Sequence, residues 1–581
     1  MGFPLFLSLL ASLGTGWAQV CDHNETCDAV DTSLIQTDST ERKQGRKHGR
    51  HGRSLQPSLL QSDQAILNEA QVQALKRPDR WHGVNYGNRF VPEDWIEYPY
   101  NFFENVTKFG PRVALWDLPP GQASKERMLT WLETSIQESH FAEMQRMAVE
   151  LMRLPVGYWN FVTYPENTGP VVPQHFEERV KNLHKIATPE EYRPYLDKVF
   201  NWASKYGIKV LLDFHALPGS QNGEIHSGVC MRDSAGKNTD FFQNDANAAK
   251  ALETIREMAR YTKDKDALWG IQVINEPHLF NSEEHSFLKK FFEDACKLIR
   301  DEGIAMEKPC VVFSWTYDMD KWIDWNNPMF PKETYGRVIF DTHLYHFPDG
   351  TWTLDQAKAS YKDDLISTRR FFLDAQIDLI VGEYTLAGTG LGPSDQKAFA
   401  QWLVDEFDFT AVGSIFWTFD CQHDDWSLVK TDHNVNWAQI WRSDRDDCIS
   451  YNQINLQSAD WRFLSKGGGE NPKMKPSAQN WEVWHTCYQK EPAQTPGAVK
   501  MSFRSIADGG YLSVTSDRQV RGSWIRQGWE TFEALCDAQA RCKLKSFHGT
   551  WLSPSANYED PDVWAVAADP PNAPQWHAIS H

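Results

Sequence analysis

Between about residue 80 and residue 420, short apolar runs alternate with segments whose apolar residues recur at helical spacing. The clearest helical segment is Ser282 to Arg300, and Asn281 can cap its first turn. Because strands that alternate with helices or long connections build parallel sheets, the pattern predicts an α/β fold, a (β/α)8 TIM barrel, rather than a β-sandwich. The eight predicted strands are His82–Tyr86, Glu150–Pro155, Lys209–Phe214, Gly270–Asn275, Cys310–Ser314, Val338–His343, Leu379–Glu383 and Val412–Trp417.

The alternation ends after the eighth strand. The run Lys466-Gly-Gly-Gly-Glu-Asn-Pro interrupts it, a short helical stretch is predicted around Trp481 to Tyr488, and Pro492 to Gly497 forms a second break. We therefore expect a barrel domain over residues 61–490 and a small all-β domain over residues 498–581.

A faint repeat runs through this C-terminal segment. Tyr511-Leu-Ser-Val returns 40 residues later as Trp551-Leu-Ser-Pro, and a period of that length is typical of repeated β units. The segment resembles fascin-like β-trefoil modules, although two lobes can be counted where a trefoil has three. A generic β-module is the alternative, and either could bind glycan or only brace the barrel.

The N-terminus has the pattern of a targeting segment. Phe3 to Leu13 is apolar but too short to span a bilayer, and Gly16-Trp17-Ala18 offers a cleavage site, so residues 1–18 are predicted to be a signal peptide. Residues 19–60 are polar with a basic run, and we expect a disordered tail or a processed pro-segment. No other run has the length of a membrane span, so the mature chain is expected to be secreted.

The amino-acid composition argues against some classes of ligand and favours others. The formal net charge is −19, and it all lies after residue 53, which argues against binding nucleic acid or anionic membranes. The 25 tryptophans suit core packing, and they also suit stacking on sugars.

The ten cysteines fit a secreted protein with a few disulfides. Plausible local pairs are Cys21–Cys27, Cys421–Cys448 and Cys536–Cys542. The chain has neither a CxxC motif nor a His/Cys ligand cluster, so we predict no metal site and no cofactor. N-glycosylation sequons begin at Asn24 and Asn105.

Two carboxylates stand where predicted strands end. Glu276 follows the fourth strand within Asn275-Glu276-Pro277, and Glu383 ends the seventh strand. In a (β/α)8 barrel, chemistry is concentrated at the C-terminal ends of the strands. Strands four and seven lie across the barrel mouth from each other, so the two side chains can converge on one point.

Residues 80–430 resemble glycoside hydrolase family 5, and within it the exo-β-1,3-glucanase-like branch. Pro218-Gly-Ser-Gln-Asn-Gly223 is the most specific match. The matching stretches are Gly83-Val-Asn-Tyr-Gly-Asn-Arg-Phe-Val-Pro-Glu93, Arg153-Leu-Pro-Val-Gly-Tyr-Trp-Asn-Phe161, Asp213-Phe-His-Ala-Leu-Pro-Gly-Ser-Gln-Asn-Gly223, Ile274-Asn-Glu-Pro277, His343-Leu-Tyr345, Gly382-Glu383-Tyr384 and Phe416-Trp417.

The resemblance implies a retaining β-glycosidase acting on a β-glucan or β-glucoside, with Glu383 as nucleophile and Glu276 as acid/base. Arg153, at the end of strand two, is the natural cation to keep Glu383 ionised. The remaining substrate-binding residues implied by the resemblance are Asn275 at the sugar 2-hydroxyl, His215, His343 and Tyr345 lining the −1 subsite, Trp417 as the floor, and Glu93 at the closed end of the pocket.

Some features depart from that branch. Arg89 stands where the branch usually has Trp, and the loops after strand six and over residues 421–460 are unusually acidic. Linkage and chain length therefore stay open. The alternatives are an endo-β-glucanase, a glycolipid β-glucosidase on the same barrel, and a non-catalytic glycan-binding protein. We expect a monomer.

Overall fold

The computed structural model describes the chain between residues 80 and 580, and it excludes several segments within that span. The excluded residues are 98, 108–112, 120, 164–185, 228–239, 280, 323–329, 348–349, 376, 443–447, 460, 467–470, 478–481, 490–492, 506–508, 524–529, 538–540, 555–561 and 567–574. The predictions for residues 1–18 and 19–60, the Cys21–Cys27 pair and the Asn24 sequon lie outside the described residues.

Eight parallel strands close into a barrel in chain order, and β8 pairs with β1 through Trp81 and Gly413. All eight strands predicted from the apolar runs are confirmed, with ends shifted by at most two residues in most cases. They are β1 Trp81–Asn85, β2 Leu151–Gly157, β3 Lys209–Ala216, β4 Leu268–Gln272, β5 Cys310–Phe313, β6 Val338–Leu344, β7 Asp378–Tyr384 and β8 Gly413–Phe416.

Helices occupy the connections between strands. The helix Ser282–Asp301 begins as its sequence predicts, because the Asn281 side chain accepts a hydrogen bond from the Glu284 amide at 2.9 Å. Among the described residues, no helix combines the length and the apolar character that crossing a bilayer requires. The α-helices are Gln122–Ser135, Glu138–Arg146, Pro189–Lys205, Asp240–Gln243, Asp245–Thr262, Ser282–Asp301, Lys332–Tyr335, Leu354–Ala375, Pro393–Thr410, Leu428–Val435 and Trp437–Arg442.

Apolar and polar side chains occupy different levels of the barrel interior. A buried apolar cluster contains Leu151, Leu211, Trp269, Val311, Ile339, Ile380 and Ile415. Residues two apart on a strand face the same side, and two positions after members of this cluster stand Arg153, Asp213, Asp341 and Trp417. The barrel interior is thus apolar near the strand starts, and the charged side chains Arg153, Asp213 and Asp341 lie nearer the C-terminal ends.

The C-terminal all-β region begins earlier than the sequence predicted. The stretch expected to be helical around Trp481 to Tyr488 is instead strand β12, Val483–Gln489, and it pairs with β9, Cys448–Ser458, and with β13, Val499–Ser505. The expected barrel boundary at residue 490 therefore falls inside this β region, which starts at Cys448.

Strand pairing gives this region three lobes of four strands each. The first and fourth strands of the lobes, which are β9, β12, β13, β16, β17 and β20, pair in a closed ring of six. The inner strands form the hairpins β10–β11, β14–β15 and β18–β19. This is a β-trefoil, and the two-lobe count is corrected to three. The remaining strands are β10 Phe463–Ser465, β11 Lys473–Lys475, β14 Tyr511–Val514, β15 Val520–Ser523, β16 Thr531–Cys536, β17 Arg541–Ser546, β18 Trp551–Pro554, β19 Val563–Val566 and β20 Trp576–Ser580.

Two disulfides have defined partners in the described residues. Cys536–Cys542 is confirmed, and Cys296–Cys310 joins the helix Ser282–Asp301 to β5. The predicted Cys421–Cys448 pair is wrong, because Cys421 is a free, buried thiol. Its side chain packs with Ile96 and Trp417 just after β8, whereas Cys448 opens the trefoil.

The trefoil contacts the barrel at the end opposite to the C-terminal ends of its strands. Arg504 on β13 forms a buried ion pair with Glu406, and its guanidinium lies 3.8 Å from the centre of the Phe409 ring. His485 on β12 packs on the same ring at 4.9 Å. Glu406 and Phe409 belong to the last turns of the helix Pro393–Thr410, which runs back to the start of β8.

Replacing Arg504 with alanine should destabilise the protein by about 3 kcal/mol, because it removes a cation that pairs with the buried Glu406 carboxylate. The double variant Arg504→Met with Glu406→Leu should recover most of that loss, since the carboxylate is removed together with the cation. Denaturant unfolding of the full chain measures both. Equal losses in the two variants would show that the contact is important for its shape and not for its charge.

Candidate active site

The nine residues predicted for the site lie together at the C-terminal ends of the strands. Hydrogen bonds and ion pairs connect all of them except Trp417, whose ring stacks on the imidazole of His215 at 5.8 Å. The connected residues are Glu93, Arg153, His215, Asn275, Glu276, His343, Tyr345 and Glu383.

The two glutamates face each other. One carboxylate oxygen of Glu276, one of Glu383 and a ring nitrogen of His343 all lie within 4.8 Å of one another. Glu276 has a backbone φ of 42°, a left-handed conformation that side chains such as glutamate rarely adopt. Strain of this kind is concentrated at functional sites, where the surrounding structure holds it.

Arg153 is fully buried, and it makes four hydrogen bonds and one further ion pair. It donates to Glu383 Oε1 and Asn275 Oδ1 at 2.7 Å each, and it forms an ion pair with Asp213 at 3.1 Å. The side chains of Asn85 and Gln272 accept the remaining bonds at 2.9 and 2.8 Å. A charge taken out of water needs such pairing to offset the cost of its burial, and because Arg153 donates to both Glu383 and Asn275 it fixes their positions relative to each other.

Asp341 supports the same network from β6. It accepts hydrogen bonds from the Gly382 amide at 2.6 Å and from Gln272 at 2.9 Å, and it lies 3.3 Å from His343 Nε2. A β-carbon on Gly382 would come within 2.2 Å of the Asp341 carboxylate. Glycine is therefore required at this position so that Asp341 can lie directly behind Glu383.

Two histidines contact Glu276. His343 Nδ1 lies 2.6 Å from its Oε1, and His226 Nε2 lies 3.5 Å from its Oε2. Burial acts to raise the pKa of Glu276, but these contacts outweigh it and hold the pKa well below its usual range. Burial acts to lower the pKa of His343, yet Glu383 and Asp341 raise it to about 10.

Glu383 has a different environment. Tyr345 donates to its Oε2 at 2.6 Å, opposite the Arg153 bond to Oε1. Burial raises the pKa of Glu383 to about 7, and the nearby Glu276 carboxylate adds to this rise. The cations His343 and Arg153 act in the opposite direction, but they do not cancel it. Because carboxyls this close titrate as a pair, the protonation of each glutamate depends on the charge of the other.

His226 was not predicted from the sequence. It lies between two carboxylates, 3.5 Å from Glu276 and 4.0 Å from Glu93. Burial acts to lower its pKa, but Glu276 and Glu93 raise it to about 9. His226 follows the matched Pro218-Gly-Ser-Gln-Asn-Gly223 stretch by three residues. That position beside a matched motif is the feature of the sequence that could have indicated a site residue.

Aromatic side chains surround the glutamates. The Trp95 indole donates to Glu93 at 2.8 Å and packs against Trp426, which also contacts Tyr345. On the β5 side, the Trp315 indole donates to the carbonyl of Pro277, next to Glu276, at 3.0 Å. Trp95, Trp426 and Trp315 come from loops whose course cannot be read from residue spacing.

Arg89, the residue that departs from the resembled branch, is buried under the β1 loop. It donates to the Gly87 carbonyl at 2.9 Å, and its guanidinium lies 4.5 Å from the centre of the Tyr86 ring. None of its described contacts reaches Glu276 or Glu383. An arginine in place of the usual tryptophan therefore changes the packing beneath the β1 loop and not the carboxylate pair.

Known proteins share this architecture and sequence. The family model described as cellulase (glycosyl hydrolase family 5) matches residues 117–423. A glucan 1,3-beta-glucosidase of Blumeria graminis is 29% identical over 286 residues, which cover 48% of this chain and 58% of the relative. A glucan 1,3-beta-glucosidase of Candida oleophila is 27% identical over 465 residues, which cover 76% of this chain and 90% of the relative.

Among solved structures, rutinosidase from Aspergillus niger covers 62% of this chain and 98% of its own, with 14% identity and a TM-score of 0.47. The family model spans more than half of the chain and includes the C-terminal ends of seven of the eight barrel strands. With an eight-stranded parallel barrel and two facing glutamates at its mouth, the chain belongs to glycosyl hydrolase family 5.

Proposed function

We propose that this protein is a retaining β-glycosidase that hydrolyses β-glucans, of the exo-β-1,3-glucanase or β-glucosidase type. The observation that carries the proposal is the approach of the Glu276 and Glu383 carboxylate oxygens to within 4.8 Å. Retaining enzymes need carboxyls about 5–5.5 Å apart, whereas inverting enzymes leave room for a water at about 6.5–9.5 Å. The relatives named glucan 1,3-beta-glucosidase support the substrate class.

In the first step, Glu383 attacks the anomeric carbon while Glu276 gives its proton to the departing glycosidic oxygen. A glycosyl ester on Glu383 forms, and the aglycone leaves as an alcohol. In the second step, Glu276 takes a proton from water, the water oxygen attacks the anomeric carbon, and Glu383 leaves as a carboxylate. Arg153 and His343 lie beside the two carboxylates and supply positive charge to the site.

These roles require Glu276 to carry a proton and Glu383 to be ionised when the sugar is bound. Arg153 and Tyr345 bond both oxygens of Glu383 and favour its anionic form. The His226 contact to Glu276 is longer, at 3.5 Å, and its side chain is partly exposed. We infer that a bound sugar weakens that contact, which leaves Glu276 as the carboxyl that keeps the proton.

The other residues are assigned to the sugar. Asn275, oriented by Arg153, binds the 2-hydroxyl, a hydrogen bond that strengthens in the transition state. Trp417 is the floor of the subsite, and His215 stacks behind it. Glu93 binds hydroxyls at the closed end, where Trp95 holds its carboxylate.

The exo-acting mode is the finer part of the proposal. The alternative is an endo-acting enzyme that binds a longer aglycone. Two stacked aromatic rings on the β5 side support it, since the exposed Tyr317 stacks on Trp315 with ring planes 6° apart. Product analysis on laminari-oligosaccharides of graded length separates the two. Glucose released one unit at a time supports exo action, and early release of mid-sized oligosaccharides supports an endo-acting enzyme.

We also propose that the protein is secreted and acts as a monomer. The disulfides Cys296–Cys310 and Cys536–Cys542 support an oxidising compartment. The apolar segment Phe3 to Leu13 supports export.

Replacing Glu383 with glutamine should lower turnover by about 10⁴-fold or more, because the glycosyl ester can no longer form. The variant should stay folded, since an amide oxygen can still accept the Arg153 bond. Labelling of the wild-type protein with a 2-deoxy-2-fluoro glucoside, followed by peptide mass analysis, identifies the nucleophile directly. A label on any other carboxylate would refute the assignment.

Replacing Glu276 with alanine should slow glucans by about 10³-fold but dinitrophenyl glucosides far less, because a good leaving group needs little protonation. The kcat/KM values for both substrates measure the contrast. Equal losses on both would mean that Glu276 is not the proton donor.

Replacing His226 with asparagine should raise the pKa of Glu276, because a cationic partner is removed. The acid then stays protonated to higher pH, so the basic limb of the kcat/KM profile should move up by about one unit. His346→Asn is the matched control, since His346 pairs with Asp364 and not with either glutamate. An unmoved basic limb, or an equal shift in the control, would contradict the role given to His226.

A further inference from the structure

The trefoil presents two aromatic rings to solvent. Of the five large apolar side chains exposed in the described part of the chain, Trp461 at 75% and Phe547 at 62% are the most exposed. Both belong to the turn between the first and second strands of a lobe, Trp461 in the first lobe and Phe547 in the third. We call this connection the first turn of a lobe.

Two backbone hydrogen bonds recur in the three first turns, although the second turn is one residue longer than the other two. In each, a serine amide at the end of the first strand donates across the turn: Ser458 to Arg462, Ser505 to Gly510 and Ser546 to Thr550, at 2.7–2.8 Å. In each, a later turn residue donates back to that serine carbonyl at 2.9–3.0 Å. That residue is Trp461 in the first lobe, Gly509 in the second and Gly549 in the third.

Trp461 therefore occupies a position where the other lobes have glycine. Its φ is 68°, against 78° for Gly509 and 76° for Gly549. A bulky residue with positive φ is an outlier that costs stability, and a ring that is 75% exposed recovers little of that cost by burial. Folding does not explain the tryptophan, and an outlier of this kind indicates a functional role.

The form of the two side chains limits what they could bind. They stand on different lobes of a three-lobed ring, so they are separate contact points and not one patch. A stable protein interface buries a continuous area of more than about 1,000 Å², which two isolated rings do not provide. Residues 448–581 contain 13 acidic and 13 basic side chains, so this part of the chain has no net charge that would attract a charged polymer. A flat ring with free faces, and in Trp461 an N–H at its edge, suits the apolar face of a sugar.

We propose that Trp461 and Phe547 are glycan contact points through which the trefoil binds a neutral β-glucan chain. The ligand class rests on the function proposed for the barrel. A polymer can engage two separated points at once, which raises the overall affinity well above that of either contact. The trefoil meets the barrel at Glu406 and Phe409, far from the glutamates, so this binding leaves the hydrolytic site open.

The test uses the full chain carrying Glu383→Gln, so that the polymer is not consumed. Sedimentation with insoluble β-1,3-glucan gives an apparent Kd for this parent and for Trp461→Gly, Phe547→Ala and the double variant. Met306→Ala, which removes an exposed apolar side chain from the barrel, is the control. Each aromatic change should weaken binding by about tenfold, the order of one aromatic contact, and the control should not.

Trp461→Gly restores the residue of the other lobes, so its melting temperature should equal or exceed that of the parent while its binding falls. Unchanged binding in both single variants, or no binding by the parent, would overturn the proposal. A melting temperature that falls in step with binding would also overturn it, because Trp461 would then be structural. Tighter binding to an anionic polysaccharide would refute the ligand class.

Hydrolysis of an aryl β-glucoside by the same variants with Glu383 intact keeps the two proposals separate. The trefoil variants should match the wild-type rate. If the wild type does not hydrolyse the glucoside, the function proposed for the barrel fails, whereas the sedimentation result still decides the role of Trp461 and Phe547.

Discussion

The site depends on one buried cation. Arg153 has no exposure to solvent, and it contacts Asn85, Asp213, Gln272, Asn275 and Glu383 through four hydrogen bonds and one ion pair. These partners come from the C-terminal ends of four strands, β1, β3, β4 and β7, so a single planar group fixes the spacing of those strands at the mouth. If one partner is lost, either a donor or a charge is left without compensation in a dry interior, where such a defect costs several kcal/mol. Accurate placement of the glutamates and stability of the barrel are therefore the same requirement.

Much of this was readable from the sequence. Each barrel strand is buried on both faces and reads as a short apolar run, so all eight could be counted, and polar residues at the run ends located the site. The polar groups inside the runs, such as Asn85 and Gln272, were missed because a buried amide has no periodic signature. His226 and the tryptophans of the loops were missed for a related reason, since loop courses are set by packing far along the chain.

In the trefoil, the search for a repeat at a fixed spacing missed one of the three lobes. Phe463-Leu-Ser in the first lobe matches Tyr511-Leu-Ser and Trp551-Leu-Ser in the others, so the third copy was present. It lies 48 residues before Tyr511, whereas Tyr511 and Trp551 are 40 apart. Most of the extra length lies between β12 and β13, whose starts are 16 residues apart (483 to 499), against 10 for β16 and β17 (531 to 541). That connection contains Pro492 to Gly497, which reads as a domain break because proline and glycine mark both loops and boundaries. Strand pairing, which the spacing cannot encode, resolves the choice.

The free thiol of Cys421 has a consequence for how the chain matures. In the folded protein, burial raises its pKa to about 12, so it is not a thiolate and does not attack disulfides. In the unfolded chain no such protection exists, and Cys421 competes with nine other cysteines for partners. Burial beside Ile96 and Trp417 removes Cys421 from that competition. Because Ile96 and Trp417 lie near opposite ends of the barrel sequence, the thiol is protected only where both ends of that sequence are in place.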